Sequence, residues 1–157
     1  ETISSTKGQR KRAMARKVIA TCGGSIRGKR IAVLGLTFKA ETDDMRESPA
    51  VSIITALQDA GAKVRAYDPQ GMVHAHSILN GVEYAPDAYT CAEGAEALVV
   101  MTEWSEFRKM DLARVKALLQ RPVVVDLRNI FQPEAMAEHG FTYVSVGRPK
   151  IEPLSKA

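Results

Sequence analysis

Cysteine is scarce in this chain, with only Cys22 and Cys91 among 157 residues. Two thiols so far apart make neither a disulfide framework nor a zinc site, and the usage fits a reducing cytoplasm. Aromatic residues amount to 6%, with a single tryptophan, Trp104. No apolar run approaches the ~20 residues that a membrane helix needs. No long apolar stretch follows the first basic residues, so a signal peptide is not expected. His74, His76 and His139 show no metal-ligand spacing with acids or cysteines. His74 and His76, two apart on an expected helix, point to different faces. Two sequence devices are also missing: the Gly-x-Gly-x-x-Gly turn of dinucleotide sites and the nucleophile elbow or Ser-His-Asp pattern of hydrolases. Neither cysteine has a base beside it in a recognisable motif, which favours inert thiols. These absences leave a binding module without catalytic machinery of its own.

What is present is ordinary for a globular protein, with 45% apolar and 25% charged residues. The net charge of +4 hides an asymmetry. Residues 1–30 hold nine Lys and Arg against one acid, whereas residues 31–157 hold thirteen against seventeen acids. The basic character therefore sits in one N-terminal stretch, expected as a helix over residues 7–22. Met14, Val18, Ile19 and Cys22 form its narrow apolar stripe, and Gly23-Gly24 ends it. Three readings stand for this helix: a solvated basic face, an arm for nucleic acid or acidic lipid, or a helix whose stripe packs on a neighbouring domain or subunit. The stretch carries no interleaved aromatics, which weakens the nucleic-acid reading. The chain opens on Glu1 in mid-pattern, as a piece of a longer protein would.

After Gly28 strands and helices alternate. Strands are expected at residues 30–36, 63–67, 97–102, 122–127 and 141–145. Helices are expected at 49–60, 71–79, 91–94, 111–119 and 133–139. Ser48 and Pro49 read as cap and first residue of the first of these helices, and Gly61 as its stop. The runs Ile31-Ala-Val-Leu34 and Val123-Val-Val125 are apolar throughout, as strands covered on both faces require. The expected fold is α/β: a doubly wound, Rossmann-like parallel sheet of about five strands behind an N-terminal helix. The tail from Gly147 is expected to run irregularly over the surface.

The loop from Gly35 to Pro49 is the most informative segment. It lies between the first strand and a helix, where open α/β sheets bind ligands. It offers Lys39 and Arg46, seven apart, to an anion such as a diphosphate. A lysine supplies a point charge and an arginine a two-pronged donor. The alternative is a solvated loop in which Glu41, Asp43, Asp44 and Glu47 pair with both cations. Arg128, after the fourth expected strand, reaches the same sheet edge or else pairs with Asp126. Asp68, ahead of Pro69, is either a ribose ligand or a turn-forming carboxylate. Trp104 and Phe107, three apart, are expected in the core.

With these residues laid out, the chain resembles the UDP-binding domain of the UDP-glucose/GDP-mannose dehydrogenase family, from about Gly28 to Arg148. The segments that carry the resemblance are Gly28-Lys-Arg-Ile-Ala-Val-Leu-Gly-Leu-Thr-Phe-Lys39, Thr42-Asp-Asp-Met-Arg-Glu-Ser-Pro49, Tyr67-Asp-Pro69, Thr102-Glu-Trp104 and Val125-Asp-Leu-Arg-Asn-Ile-Phe131. The resemblance implies a parent enzyme that oxidises the C6 alcohol of UDP-glucose twice, to UDP-glucuronate, with two NAD. It implies an N-terminal NAD-binding domain, a helical middle that dimerises, and this domain, with residues 1–27 as the end of the linking helix and residues 28–157 as the UDP-binding unit. It assigns Phe38, Lys39 and Arg128 to the nucleotide sugar and Arg46 to NAD. The family's cysteine segment is absent: Gly23-Gly-Ser-Ile26 has isoleucine where the thiol belongs. The chain alone is therefore expected to be inactive. The segments lean toward UDP-glucose; GDP-mannose or a UDP-N-acetyl sugar is the alternative within the family. Outside it stand a nucleic-acid or interaction module led by the basic helix, and a receiver-like domain. The latter needs an acid pair at the first strand's end, where this chain has Gly35-Leu36.

Overall fold

Residues 31–34 alternate strictly in where they point. Ile31 and Val33 enter one hydrophobic core, and Ala32 and Leu34 enter another. This is the period of two expected of a strand buried on both faces. The same division runs through Ala97–Val100, with Ala97 and Val99 on the first side and Leu98 and Val100 on the second. In this computed structural model, which describes residues 13–36, 49–70, 72, 75 and 78–153, that alternation builds one parallel sheet between two helical layers.

The strands are β1 (Arg30–Leu34), β2 (Lys63–Tyr67), β3 (Glu83–Tyr84), β4 (Ala97–Val100), β5 (Val123–Asp126) and β6 (Thr142–Ser145). Their spatial order is β3-β2-β1-β4-β5-β6, and every pairing is parallel. The helices are α1 (residues 13–21 of the described chain), α2 (Pro49–Asp59), α3 (Ala88–Ala92), α4 (Ser105–Arg108), α5 (Leu112–Leu118) and α6 (Pro133–Glu138). α1 and α2 cover one face with Val18, Ile53, Ile54 and Leu57. α3 to α6 cover the other with Cys91, Phe107, Val115 and Met136.

The apolar stripe of α1 finds its partner within the chain. Ala15, Val18 and Cys22 are buried in the same core as Ile31 and Val125, and Met14 and Ile19 pack beside them. Full burial of a side chain such as Val18 contributes about 1.5–3 kcal/mol. Lys17 Nζ adds a hydrogen bond to Ser145 O, 3.1 Å away at the end of β6. Helix ends follow local chemistry. Asp87 caps α3 by accepting from Thr90 N at 2.7 Å, and Asp111 caps α5 by accepting from Ala113 N and Arg114 N. Arg65 Nη1 satisfies the far end of α3 through Thr90 O and Glu93 O.

Several elements depart from the sequence reading. The sheet has six strands, because the two-residue β3 pairs with β2 at the edge. Two residues show no period, so pairing is their only signal. The helix expected at residues 91–94 is Ala88–Ala92, set by the cap at Asp87. β1 and β4 each stop two residues earlier than expected, at Leu34 and Val100. The tail is not wholly irregular: Ile151 pairs with Tyr143 in an antiparallel bridge. Gly61 takes φ +97° after α2, as a helix stop requires.

Candidate functional site

Register fixes which residues share the sheet's C-terminal edge. Tyr67, Leu34, Val100, Asp126 and Ser145 form one row across β2, β1, β4, β5 and β6. Asp68, Gly35, Met101 and Leu127 follow directly. Chain order reverses between β1 and β4, which is the switch point where doubly wound sheets open a crevice for ligands.

Gly35 closes the floor of that crevice. Its N–H donates to Tyr67 O at 2.8 Å, and its φ is +101°. A Cβ here would collide with Thr102 Oγ1 and lie 2.8 Å from Thr102 N, so only glycine fits. The next residue, Leu36, donates its N–H to Asp68 Oδ2 at 2.7 Å. Gln70 N donates to the other oxygen, Oδ1, at 2.8 Å. Asp68 is fully buried and engages backbone through both oxygens. Of its two sequence readings the turn-forming one fits; it ties Leu36, after β1, to the end of β2. Phe38, Lys39, Arg46 and the expected cap Ser48 lie outside the described residues, and so do His74 and His76.

Arg128 is described, and its setting differs from the simple ion pair with Asp126. Asp126 is fully buried. It accepts from the backbone N–H groups of Arg128 (3.1 Å), Ile130 (2.8 Å) and Phe131 (3.0 Å), and from the Tyr143 hydroxyl (2.6 Å). These bonds coil residues 127–131 into a tight turn. Asn129 closes it from outside in a left-handed conformation, φ 56°. Its amide donates to Val146 O at 2.9 Å and its carbonyl accepts from Val146 N at 3.0 Å. The turn releases the Arg128 guanidinium toward the end of β4, where Nη2 donates to Glu103 Oε1 at 2.5 Å. The hydrogen bond and charge of Arg128 hold the Glu103 carboxyl below its ordinary value.

Both side chains of that pair remain about 40% exposed, at 38% and 43%. Exposed pairs contribute about 0–1 kcal/mol, whereas charge-assisted bonds to an anion contribute about 1.5–3 kcal/mol each. A diphosphate can therefore take over donors of Arg128 against a weak competitor. Glu103 went unassigned in the sequence reading, although its Thr102-Glu-Trp104 segment at a strand end was the available signal. Trp104 and Phe107 are core residues, 5% and 0% exposed. Among the described residues, Thr102 Oγ1 and Trp104 Nε1 are buried without a hydrogen-bond partner. Tyr67 donates its hydroxyl to Glu106 Oε2 at 2.9 Å, tying α4 to β2. Burial, reinforced by that bond, pushes its pKa well above the ordinary tyrosine range.

Other candidate chemistry is quiet. Both cysteines are buried. Burial raises the Cys22 thiol and pushes that of Cys91 up to about 12. Among the described residues no group of His, Cys, Asp and Glu could hold a metal ion, and no helix is long and apolar enough to cross a membrane. A groove beside α6 is rimmed by Glu134, Glu138 and Glu152 with Lys150, a charge balance unsuited to a diphosphate.

A parallel sheet in 3-2-1-4-5-6 order, with an arginine delivered to its switch-point edge, defines a Rossmann-like nucleotide-binding class of domain. Residues 32–133 match the model of the UDP-glucose/GDP-mannose dehydrogenase family, UDP binding domain. The chain belongs to that family and carries its UDP-binding domain, as the sequence resemblance implied. It is 55% identical over 149 residues to the UDP-glucose 6-dehydrogenase of Rhizobium meliloti (strain 1021), covering 95% of this chain and 34% of that protein. Among solved structures, the UDP-glucose dehydrogenase of Pyrobaculum islandicum matches with TM-score 0.65 and 31% identity, over 75% of this chain and 26% of the other. The UDP-D-ManNAc dehydrogenase of Pyrococcus horikoshii matches with TM-score 0.71 and 25% identity, over 90% and 31%. The chain thus spans about a third of the length of the curated relatives it matches.

Proposed function

We propose that this chain binds the diphosphate of UDP-glucose at the switch-point crevice and serves as the nucleotide-sugar wall of an NAD-dependent UDP-glucose 6-dehydrogenase. The observation that carries this reading is the delivery of Arg128, by a turn wound on buried Asp126, to the end of β4. Lys39 and Phe38, from the loop that starts at Leu36, complete the contact. The parent enzyme oxidises the sugar's C6 alcohol twice, to the acid, with two NAD. The names of curated relatives at 55% and 44% identity support UDP-glucose over GDP-mannose or a UDP-N-acetyl sugar.

The described residues do not build a dinucleotide cradle. Where a glycine-rich turn would admit a pyrophosphate to the backbone, Gly35 is closed by Thr102. NAD is accordingly assigned mainly to the rest of the parent chain, with Arg46 reaching toward it. The chain supplies binding and orientation, works in the cytoplasm as part of a homodimeric enzyme, and forms no NADH by itself. Residues 1–27 serve as the end of the linking helix.

Titration of the isotope-labelled chain with UDP, followed by NMR, tests the site. Shifts are expected at residues 35–36, 102–103 and 127–129. Lys39→Ala and Arg128→Ala should each weaken UDP binding about tenfold, the scale of one lost charged hydrogen bond. Unchanged affinity in both variants would refute the site. NADH formation by the chain alone with UDP-glucose and NAD would refute its proposed inactivity.

A further inference from the structure

Tyr143 sits on β6, the edge strand beside β5, and its hydroxyl is wired to the turn that carries Arg128. The side chain is fully buried. A hydroxyl has one proton, and the 2.6 Å approach to Asp126 Oδ2 commits it there. The hydroxyl oxygen then accepts from Arg148 Nη2 at 2.8 Å. Arg148 is itself held in place. Its Nε donates to Ser145 Oγ at 2.9 Å, and its guanidinium lies 5.6 Å from the Tyr143 ring centre. Tyr143 therefore holds one oxygen of Asp126 with Arg148 behind its hydroxyl, and Asp126 in turn fixes the backbone N–H groups of Arg128, Ile130 and Phe131.

We propose that Tyr143 and Arg148 are positioning residues for the diphosphate: through Asp126 they set the pose of the turn from which Arg128 reaches the ligand. The inference rests on the reading of Arg128 as a diphosphate contact. The connection is a chain of four groups, Arg148 to Tyr143 to Asp126 to the Arg128 backbone, with no gap longer than 3.1 Å. A core tyrosine serving only to fill space needs neither a carboxylate on its hydroxyl nor a cation behind it. Phenylalanine would fill the same volume. The relay's purpose follows from geometry. Asp126 holds three backbone donors through two oxygens. Pinning Oδ2 from the far side removes the rotation of the carboxylate that would otherwise let the turn drift. A bidentate contact between guanidinium and phosphate tolerates little such drift.

The test measures UDP and uridine binding by NMR titration in Tyr143→Phe, Arg148→Met, Arg128→Ala and the Tyr143→Phe/Arg128→Ala double variant. Tyr143→Phe is expected to weaken UDP about fivefold, within the range of couplings inside one hydrogen-bond network. Uridine, which has no phosphate, should bind unchanged. In the Arg128→Ala background, Tyr143→Phe should cost UDP nothing further. Arg148→Met should reproduce the effect from the rim if Tyr143→Phe folds poorly, and Arg148→Lys should restore part of it. The amide resonances of Arg128, Ile130 and Phe131 should move in the single variants. If Arg128→Ala weakens UDP but Tyr143→Phe and Arg148→Met do not, the relay is overturned and the arginine contact stands. An equal loss from Tyr143→Phe with Arg128 present or absent also overturns it. If Arg128→Ala itself leaves UDP binding unchanged, the underlying reading falls and the relay falls with it.

Discussion

Asp126→Asn replaces an acceptor of four hydrogen bonds by an isosteric amide, and its cost can be worked from the geometry. The amide oxygen can take the place of Oδ2, which accepts from Ile130 N, Phe131 N and Tyr143 Oη. The NH2 group must then face the N–H of Arg128, where Oδ1 had accepted at 3.1 Å. Bonds to a charged acceptor contribute about 1.5–3 kcal/mol net and neutral ones about 0.5–1.5 kcal/mol, so the three retained bonds lose about 1 kcal/mol each. The fourth is lost, at about 1–3 kcal/mol. Against this, the amide avoids the desolvation of a buried carboxylate, an offset of a few kcal/mol. The net expectation is a destabilisation of about 3 kcal/mol, or roughly 6–12 °C in Tm for a chain of this size. Urea unfolding followed by Trp104, the single tryptophan and a buried one, reads it directly. Asp126→Ala should lose more than Asp126→Asn. A loss below about 1 kcal/mol with an unchanged m-value would refute the claim that this carboxylate organises the turn.

Gly35→Ala should destabilise by about 3 kcal/mol or more, combining a left-handed backbone with a clash on Thr102. Adding Thr102→Ala should recover only part of this, because Thr102 N stays 2.8 Å from the new methyl; full recovery in thermal melts would contradict the packing. Burial sets the behaviour above neutral pH. Cys91, from an ordinary value of 9.0, and Tyr67 and Tyr143, from 10.0, are all raised in the folded chain. The unfolded chain releases these protons first, so their contribution to stability is intact below pH 9 and declines as pH climbs toward 12. Urea midpoints that stay level from pH 8 to pH 11 would contradict it. With its acidity near pH 12, Cys91 should react with iodoacetamide at pH 8 only as fast as the protein opens, and prompt labelling of the native chain would show otherwise.

The alternation of apolar strands and helices was enough to read the α/β class, and the unbroken apolar runs at residues 31–34 and 123–125 already implied cover on both faces. The family segments around Lys39, Trp104 and Arg128 were likewise legible in the chain alone, because each follows an apolar, strand-like run in the sequence. What the sequence could not show depends on partners distant along the chain. β3 is two residues long and exists by pairing with β2. The tail's bridge at Ile151 exists by pairing with Tyr143. The stripe of α1 reads equally well as a surface for another domain until Val18 and Cys22 are seen buried on this sheet. Asp126 and Arg128, two apart, could equally have formed an ion pair or parted. Only the fold shows that the carboxylate takes the turn's backbone and the Tyr143 hydroxyl, leaving the guanidinium to cross to Glu103. Local pattern determines which elements form, because side-chain period and backbone preference act over a few residues. Which polar group meets which is decided by strand register, and that is settled by burial across the whole sheet.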